Sequence, residues 1–471
     1  MIAHAMGTAS PVLRTTETWS HPRLPAACAE KRGRKMMIRN DSTVSRLLRD
    51  VPIPRMFRAA QKFPDAHIER EDIEKTIFDE IARAGVANRV KPGMRIAITA
   101  GSRGIRNVDV ITRSVVAWVK SREALPFIVP AMGSHGGATG EGQREMLAGY
   151  GITEESMGCP ILSSMDTVLL GTSELGKPVY MDKNAFEADG VILSCRLKPH
   201  NAFRGPVESG PCKMMTVGLG KQRGAEQVHS DGMDNIARNI PTMAKVTLGT
   251  GKILFAIPCL ENAYDQTMMF EAIPSEKILK REPELLKIAF ANMPSILVGE
   301  GDVLIVDCIG KNFSGTGVDP NITGRFSTSY ASGGVQVQRC CFLNLSEESH
   351  GNALGAGLAD AITKRIYDQI DTNAMYTNCL TSTVVRSAML PPVLWTDKEA
   401  VQFCIRTCNR VTPENIRVIR IPNSLHISRI MLSEAYLQDA LAGRWPGLEV
   451  LDGPESLCFD KDGTLLTPII P

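Results

Sequence analysis

The clearest signal along the chain is a change of apolar period between residues 95 and 131. Residues 95–100, Arg-Ile-Ala-Ile-Thr-Ala, make a short and nearly continuous apolar run, the pattern of a buried strand. Asn107 then predicts a helix cap, and Val108, Ile111, Val115 and Val119 recur at helical spacing to give one apolar stripe. Residues 125–131, Leu-Pro-Phe-Ile-Val-Pro-Ala, predict a second strand whose prolines imply irregular edges. Strand, helix and strand in that order form a βαβ unit, for which a parallel sheet is the economical arrangement.

Further strands are predicted at 189–195, 302–307 and 416–421, and Leu358, Ile362, Ile366 and Ile370 predict another amphipathic helix. A polar stretch at 275–300 carries Glu276, Lys277, Lys280, Arg281, Glu282 and Glu284, and a domain boundary is expected near its end, at about 290. The expected architecture is α/β: an N-terminal cofactor-binding domain over 36–290, a smaller α/β domain over 291–471, and an active site in the cleft between them. No internal repeat or low-complexity segment is visible.

A chain of 471 residues is too long for one ordinary core, which agrees with two domains. The first 35 residues read differently from the rest. They hold Pro11, Pro22, Pro25 and the basic run Lys31-Arg32-Gly33-Arg34-Lys35, with no apolar signal-peptide core. A floppy extension is expected there, with Met36 or Met37 as the natural start; a nucleic-acid-binding tail is the alternative reading of the basic run. The net charge of +2 predicts no polyanionic partner, so charge selectivity must be local. No apolar run approaches ~18 residues, so no membrane span is expected. Twelve cysteines are scattered with no C-x-x-C pair, the usage of reduced thiols in a cytoplasmic protein rather than of a zinc ribbon. Cys195 and Cys212 lack knuckle or helical ligand spacing for zinc or iron.

In open α/β sheets ligands sit beyond the carboxyl ends of the strands. Three loops there invite chemistry: Gly101-Ser102-Arg103-Gly104, Gly133-Ser134-His135-Gly136-Gly137, and Lys198-Pro199-His200. The first imitates the glycine-rich turn of a short-chain dehydrogenase, where a pyrophosphate meets a helix N-terminus. The match is poor. Arg106 holds the third glycine position, and Tyr180 and Lys183 are one residue too close for a Tyr-x-x-x-Lys pair.

Of eight histidines, His4 and His21 lie in the extension and His67 in a charged stretch. His426, between Leu425 and Ile427, is expected to be a satisfied core residue. His135, His200, His229 and His350 sit in loops rich in Gly, Ser or Pro, where function concentrates. Lys213 follows His200, and His229 follows Lys213 by sixteen residues. Residues 205–224 hold five glycines and two prolines, a stretch able to wrap a phosphate-bearing cofactor with backbone N–H groups.

These residues resemble the lactate racemase family that uses a nickel pincer nucleotide. The resemblance rests on Gly133-Ser134-His135, Lys198-Pro199-His200, Lys213 and His229, with Leu170-Gly171-Thr172-Ser173, Pro178-Val179-Tyr180 and Glu187-Ala188-Asp189-Gly190-Val191-Ile192 around them. It runs from about residue 40 to the end. The later stretch 309–325, Ile-Gly-Lys-Asn-Phe-Ser-Gly-Thr-Gly-Val-Asp-Pro-Asn-Ile-Thr-Gly-Arg, is similar to an uncharacterised branch rather than to the lactate enzymes. There are departures. Ala100 stands where the racemases carry an acid, Cys212 where they usually carry a base, and the His200–Lys213 interval is three residues longer.

The resemblance implies a racemase or epimerase acting at C2 of a 2-hydroxy acid. Lys213 would anchor the pyridinium thioamide thiocarboxylate mononucleotide, His229 would ligate Ni(II), and His135 and His200 would be the acid/base pair. Sulfur donors and an imidazole in one plane suit Ni(II). The chemistry agrees: inversion by hydride transfer needs a hydride acceptor beyond any side chain, and two imidazoles of pKa ~6.5 can serve two hydroxyl orientations. Arg103 offers a planar fork to the substrate carboxylate, and Lys311 a second cation. The loops at 309–325 and 346–352 are expected to close over the substrate. The implied partners are a small 2-hydroxy acid and cofactor-synthesis proteins, with neither nucleic acid nor membrane. Two other classes are a hydrolase or lyase using a plain metal on the same histidines, and a non-catalytic binding protein; neither needs the anchoring Lys213.

Overall fold

The computed structural model describes residues 42–102 and 105–470. The expected extension at 1–35 and Arg103 lie outside them. The fold is mixed α/β, as the sequence pattern implies, and is built on two large sheets.

The first sheet orders its strands Leu125–Pro130, Arg95–Ala100, Gly190–Arg196, Ile253–Glu261 and Thr267–Phe270. The first four are mutually parallel, and Thr267–Phe270 runs antiparallel. The strand Leu125–Pro130, with prolines at both ends, lies at the edge, where a missing N–H costs least. Successive residues feed opposite cores. Ile96, Ile98, Ile128 and Ile192 pack with Ile77 and Val115 of the helices Ile73–Arg83 and Val108–Ser121. Ala97, Val129, Leu193 and Ala256 pack with Ile240 and Leu285 of the helices Ile236–Gly249 and Ile278–Ala291. Burial on both faces is why these strands read as continuous apolar runs.

The second sheet has eight strands, in the order Val393–Leu394, Ala361–Thr363, Gln336–Leu345, Glu300–Ile309, Val418–Ile421, Arg429–Ser433, Met56–Gln61 and Leu448–Val450. Its members Val303 and Ile305 face one core while Leu304 and Val306 face another. The expected division at about 290 falls in the last turn of the helix Ile278–Ala291, ahead of the strand Glu300–Ile309. It does not describe the start of the chain, because Met56–Gln61 pairs antiparallel with Arg429–Ser433. That pairing joins residues more than 350 positions apart, which periodicity cannot reveal.

Two other expectations are corrected. Leu358–Ile370 is not one helix. Ile362 lies in the strand Ala361–Thr363, between Phe342 and Val393, and a helix begins only at Lys364, with the Thr363 hydroxyl accepting from Ile366 N. A buried strand followed by a helix happened to reproduce the four-residue spacing. Asn107 does occupy an N-cap position, but with left-handed backbone (φ 61°) and no cap bond. Its side chain bonds Arg70 and Thr267 instead.

Because the central strands of each sheet are parallel, their carboxyl ends share an edge. The loops carrying His135 and His200 leave Leu125–Pro130 and Gly190–Arg196 there. The loop carrying Lys311 leaves Glu300–Ile309 at the corresponding edge of the second sheet.

Candidate active site

The segment that carries Lys213 is built by local rules. Pro211 occupies the first turn of a short helix, Pro211–Lys213, where its missing N–H is no loss. The Glu282 carboxylate, reaching over from the helix Ile278–Ala291, accepts from Cys212 N at 2.8 Å and so caps that turn. A single π turn, Met214–Gly218, follows and is closed by Leu219 N donating to Met214 O at 2.8 Å. Such turns recur at functional sites. The helix Lys221–His229 then presents His229 at its last position.

The His229 ring is fixed by its backbone. Nδ1 donates to Ala225 O at 2.6 Å, which puts the proton of the neutral ring on Nδ1 and leaves Nε2 as a lone-pair donor. Burial lowers its pKa against the opposing bond to Ala225 O, and the Lys213 ammonium lowers it further, which favours the neutral ring.

His200 is held by a different device. The buried Glu208 carboxylate accepts from His200 N at 2.6 Å, and Ala202 N donates to His200 Nδ1 at 3.1 Å, leaving Nε2 as the nitrogen not tied to backbone. Phe203 packs against the ring, with centroids 4.4 Å apart. Desolvation pushes the His200 pKa well below its usual value, and Lys213, Lys198, His229 and Arg204 push it the same way. These charges place His200, Lys213 and His229 in one electrostatic neighbourhood.

His135 reaches the same neighbourhood by backbone contact. Gly133 N bonds Gly218 O at 3.3 Å, and Gly133, at φ +61°, packs on Val217 and Ala225 of the segment that carries Lys213 and His229. A side chain there would strain the backbone and crowd Val217. The exposed His135 ring bonds through Nδ1 to the Ser102 hydroxyl, and Tyr150 Oη donates to Ser102 O at 2.8 Å. The loop that holds Arg103 is therefore tied to His135 at its near end.

Lys311 is engaged within its own half. Its ammonium donates to Gly315 O at 2.7 Å and Asn378 Oδ1 at 2.9 Å. The loop around it does meet the His200 loop: Asn201 Nδ2 donates to Ser314 Oγ at 2.9 Å. The two second-half loops are bonded to each other, Lys311 N to Ser349 Oγ at 2.9 Å and Ser346 Oγ to Asn312 Oδ1 at 2.7 Å. His426 is corrected. It is an exposed ring, packed edge-on to Phe313 at 6.3 Å, because only its neighbour Ile427 turns into the core.

Arg204 carries no signal in the sequence. Its guanidinium donates to His200 O at 2.7 Å and to Ser332 O at 2.9 Å, bonds Asn321, and stacks near Phe290 and Phe326 at 5.2 and 5.3 Å. It fastens the His200 loop to the second half of the chain. Nothing in the local pattern distinguishes Asn201-Ala202-Phe203-Arg204-Gly205 from any solvated loop; the residue is recognisable only by its partners. The same holds for Lys221: it is 0% exposed and paired with Asp182, also 0% exposed, at 3.2 Å.

A cationic, histidine-lined site at the carboxyl edge of a parallel sheet defines an α/β protein with a histidine-based candidate active site. Residues 42–239 match the family model of the lactate racemase N-terminal domain. Among solved structures it is similar to the lactate racemase apoprotein from Thermoanaerobacterium thermosaccharolyticum, at 15% identity and a TM-score of 0.45, covering 79% of this chain and 98% of that one. No curated protein matches the chain. Among the described residues no helix is long and apolar enough to cross a membrane.

Proposed function

We propose that this protein is an isomerase, a racemase or epimerase acting at C2 of a 2-hydroxy acid, with a nickel pincer nucleotide held by Lys213 and His229. The observation that carries the reading is the state of His229. It is a neutral imidazole with Nδ1 committed to a carbonyl and Nε2 free, on the helix that follows Lys213. The donor set fits such a group and fits a conventional metal centre poorly. Among the described residues no three His, Cys, Asp or Glu side chains are grouped to hold an ion. One imidazole suffices only if the remaining donors come with the cofactor. The family match over 42–239 supports the same reading.

Lys213 would carry the cofactor through a covalent bond and His229 would ligate its nickel; when bound, the group supplies the hydride acceptor that no side chain can provide. His135 and His200 move the proton of the substrate hydroxyl, one for each orientation. Arg103 and Lys311 are the cations assigned to the substrate carboxylate, Lys311 after release from its loop partners. Arg204 keeps His200 in place against the second half of the chain. The site lies where the loops of the two sheets meet. Proteins that synthesise the cofactor are then obligatory suppliers, and the cytoplasm is the expected compartment.

The test is chiral chromatography of a panel of single-enantiomer 2-hydroxy acids incubated with protein from a cofactor-producing host. Formation of the opposite enantiomer or epimer by the wild type and not by His135→Ala supports the reading. Loaded protein that inverts none of the panel overturns it.

A further inference from the structure

The His135 loop and the helix that bears His229 are separated by more than eighty residues, yet one buried ammonium touches the supports of both. Lys221 opens the helix Lys221–His229 with a left-handed backbone, φ +55°, which a side-chain-bearing residue adopts only under constraint. Its Nζ donates to Pro130 O, the last residue before the His135 loop, and to Gln143 Oε1 at 3.0 Å, and pairs with Asp182 at 3.2 Å. Gln143 is 0% exposed and passes the contact on. Its Nε2 donates to Gly133 O at 2.9 Å and His135 O at 3.2 Å.

A desolvated ammonium is a costly way to hold a core together. Burial lowers the pKa of Lys221 and raises that of Asp182, so desolvation outweighs their attraction on both sides. Apolar residues of similar volume would often be as stable or more so. What the ammonium adds is direction: acceptors from a strand end, a helix side chain and a carboxylate are fixed around one point. The far end of the same helix has its own anchor, because Asn239 Nδ2 donates to Val228 O at 3.0 Å and to Asp231 Oδ1 at 2.8 Å.

We infer that Lys221 and Gln143 are positioning residues which set the His135 imidazole relative to the Lys213–His229 segment. The catalytic consequence rests on the acid–base reading of His135 given above; the positional one does not. Gln143→Met removes both donors to the His135 loop while leaving Lys221 two acceptors. Lys221→Met removes the hub. The His229 end stays anchored in each.

The measurement uses the full chain labelled with ¹⁵N-histidine, with the His135 ring resonances assigned by their loss in His135→Gln. In both variants the His135 Nδ1 resonance moves toward that of a solvent-exposed imidazole, because its bond to Ser102 loosens, while the His200 and His229 resonances stay. A general loosening of the fold would move all three. Misplacement of an acid–base group by about 1 Å costs roughly 100-fold, so in loaded enzyme kcat falls by that order with KM unchanged. Folded variants with an unmoved His135 resonance, or with all three moving together, overturn the inference. So does failure of both variants to fold, since the network would then be scaffold alone. If the wild type inverts no hydroxy acid, the function reading fails while the resonance shift still decides this one.

Discussion

Replacing Glu282 by glutamine should abolish a pH dependence of stability that the fold imposes beneath Lys213. The Glu282 carboxyl is 1% exposed. One oxygen accepts from Cys212 N and the other has no hydrogen-bond partner, lying where a Cβ on Gly210 would come within 2.5 Å. Desolvation pushes its pKa from 4.5 up to about 7. The sign follows from linkage. Below pH 4.5 the carboxyl is protonated in both folded and unfolded chains and contributes nothing. Between 4.5 and 7 the unfolded chain has released the proton and the folded chain has not, so stability falls as pH rises, and the loss is complete above 7. A difference of about 2.5 units at ~1.36 kcal/mol each gives about 3 kcal/mol. The glutamine side chain has no proton to lose and can still accept from Cys212 N. Urea unfolding of both proteins from pH 4.5 to 8 should show curves that meet at the acid end and diverge by about 3 kcal/mol in favour of Glu282→Gln at pH 8. Parallel curves would mean the carboxylate is hydrated or paired in the folded chain and would refute the reasoning.

Two further outcomes follow from the site. His229→Ala should lose its nickel yet keep the organic part of the cofactor on Lys213, since His229 is the one protein ligand in the scheme; plasma mass spectrometry and intact mass read the two separately. His135→Ala and His200→Ala should each keep the cofactor and lose about 100- to 10,000-fold in turnover, with single turnovers from each enantiomer showing which histidine serves which hydroxyl orientation.

How much of this was legible in the sequence differs by residue. The strands Arg95–Ala100 and Leu125–Pro130, the helix between them and the parallel sheet follow from apolar period, because each element buries a face whose repeat is local. The loops that carry His135 and His200 follow from where parallel strands end. His229 and Lys213 were singled out by their resemblance to a family motif, and only the fold reveals that Ala225 O fixes the His229 tautomer. Lys221, Gln143, Arg204 and Glu282 were invisible because each acts through partners far along the chain: Lys221 through Pro130, Arg204 through Asn321 and Ser332, Glu282 through Cys212. In sequence a buried charge looks like any surface charge. His426 was misjudged for the converse reason, since apolar neighbours in sequence do not bury a residue at a loop tip.

Whether Lys213 anchors a nickel-bearing cofactor is decided by intact mass with metal analysis on wild type and Lys213→Ala from a host that makes the pincer nucleotide. The wild-type mass should exceed the chain mass by one cofactor, with stoichiometric nickel, and the Lys213→Ala protein should run at bare chain mass without nickel, because only an amine can form the linkage. A loaded Lys213→Ala protein, or a wild type that inverts a 2-hydroxy acid at bare chain mass, would contradict it.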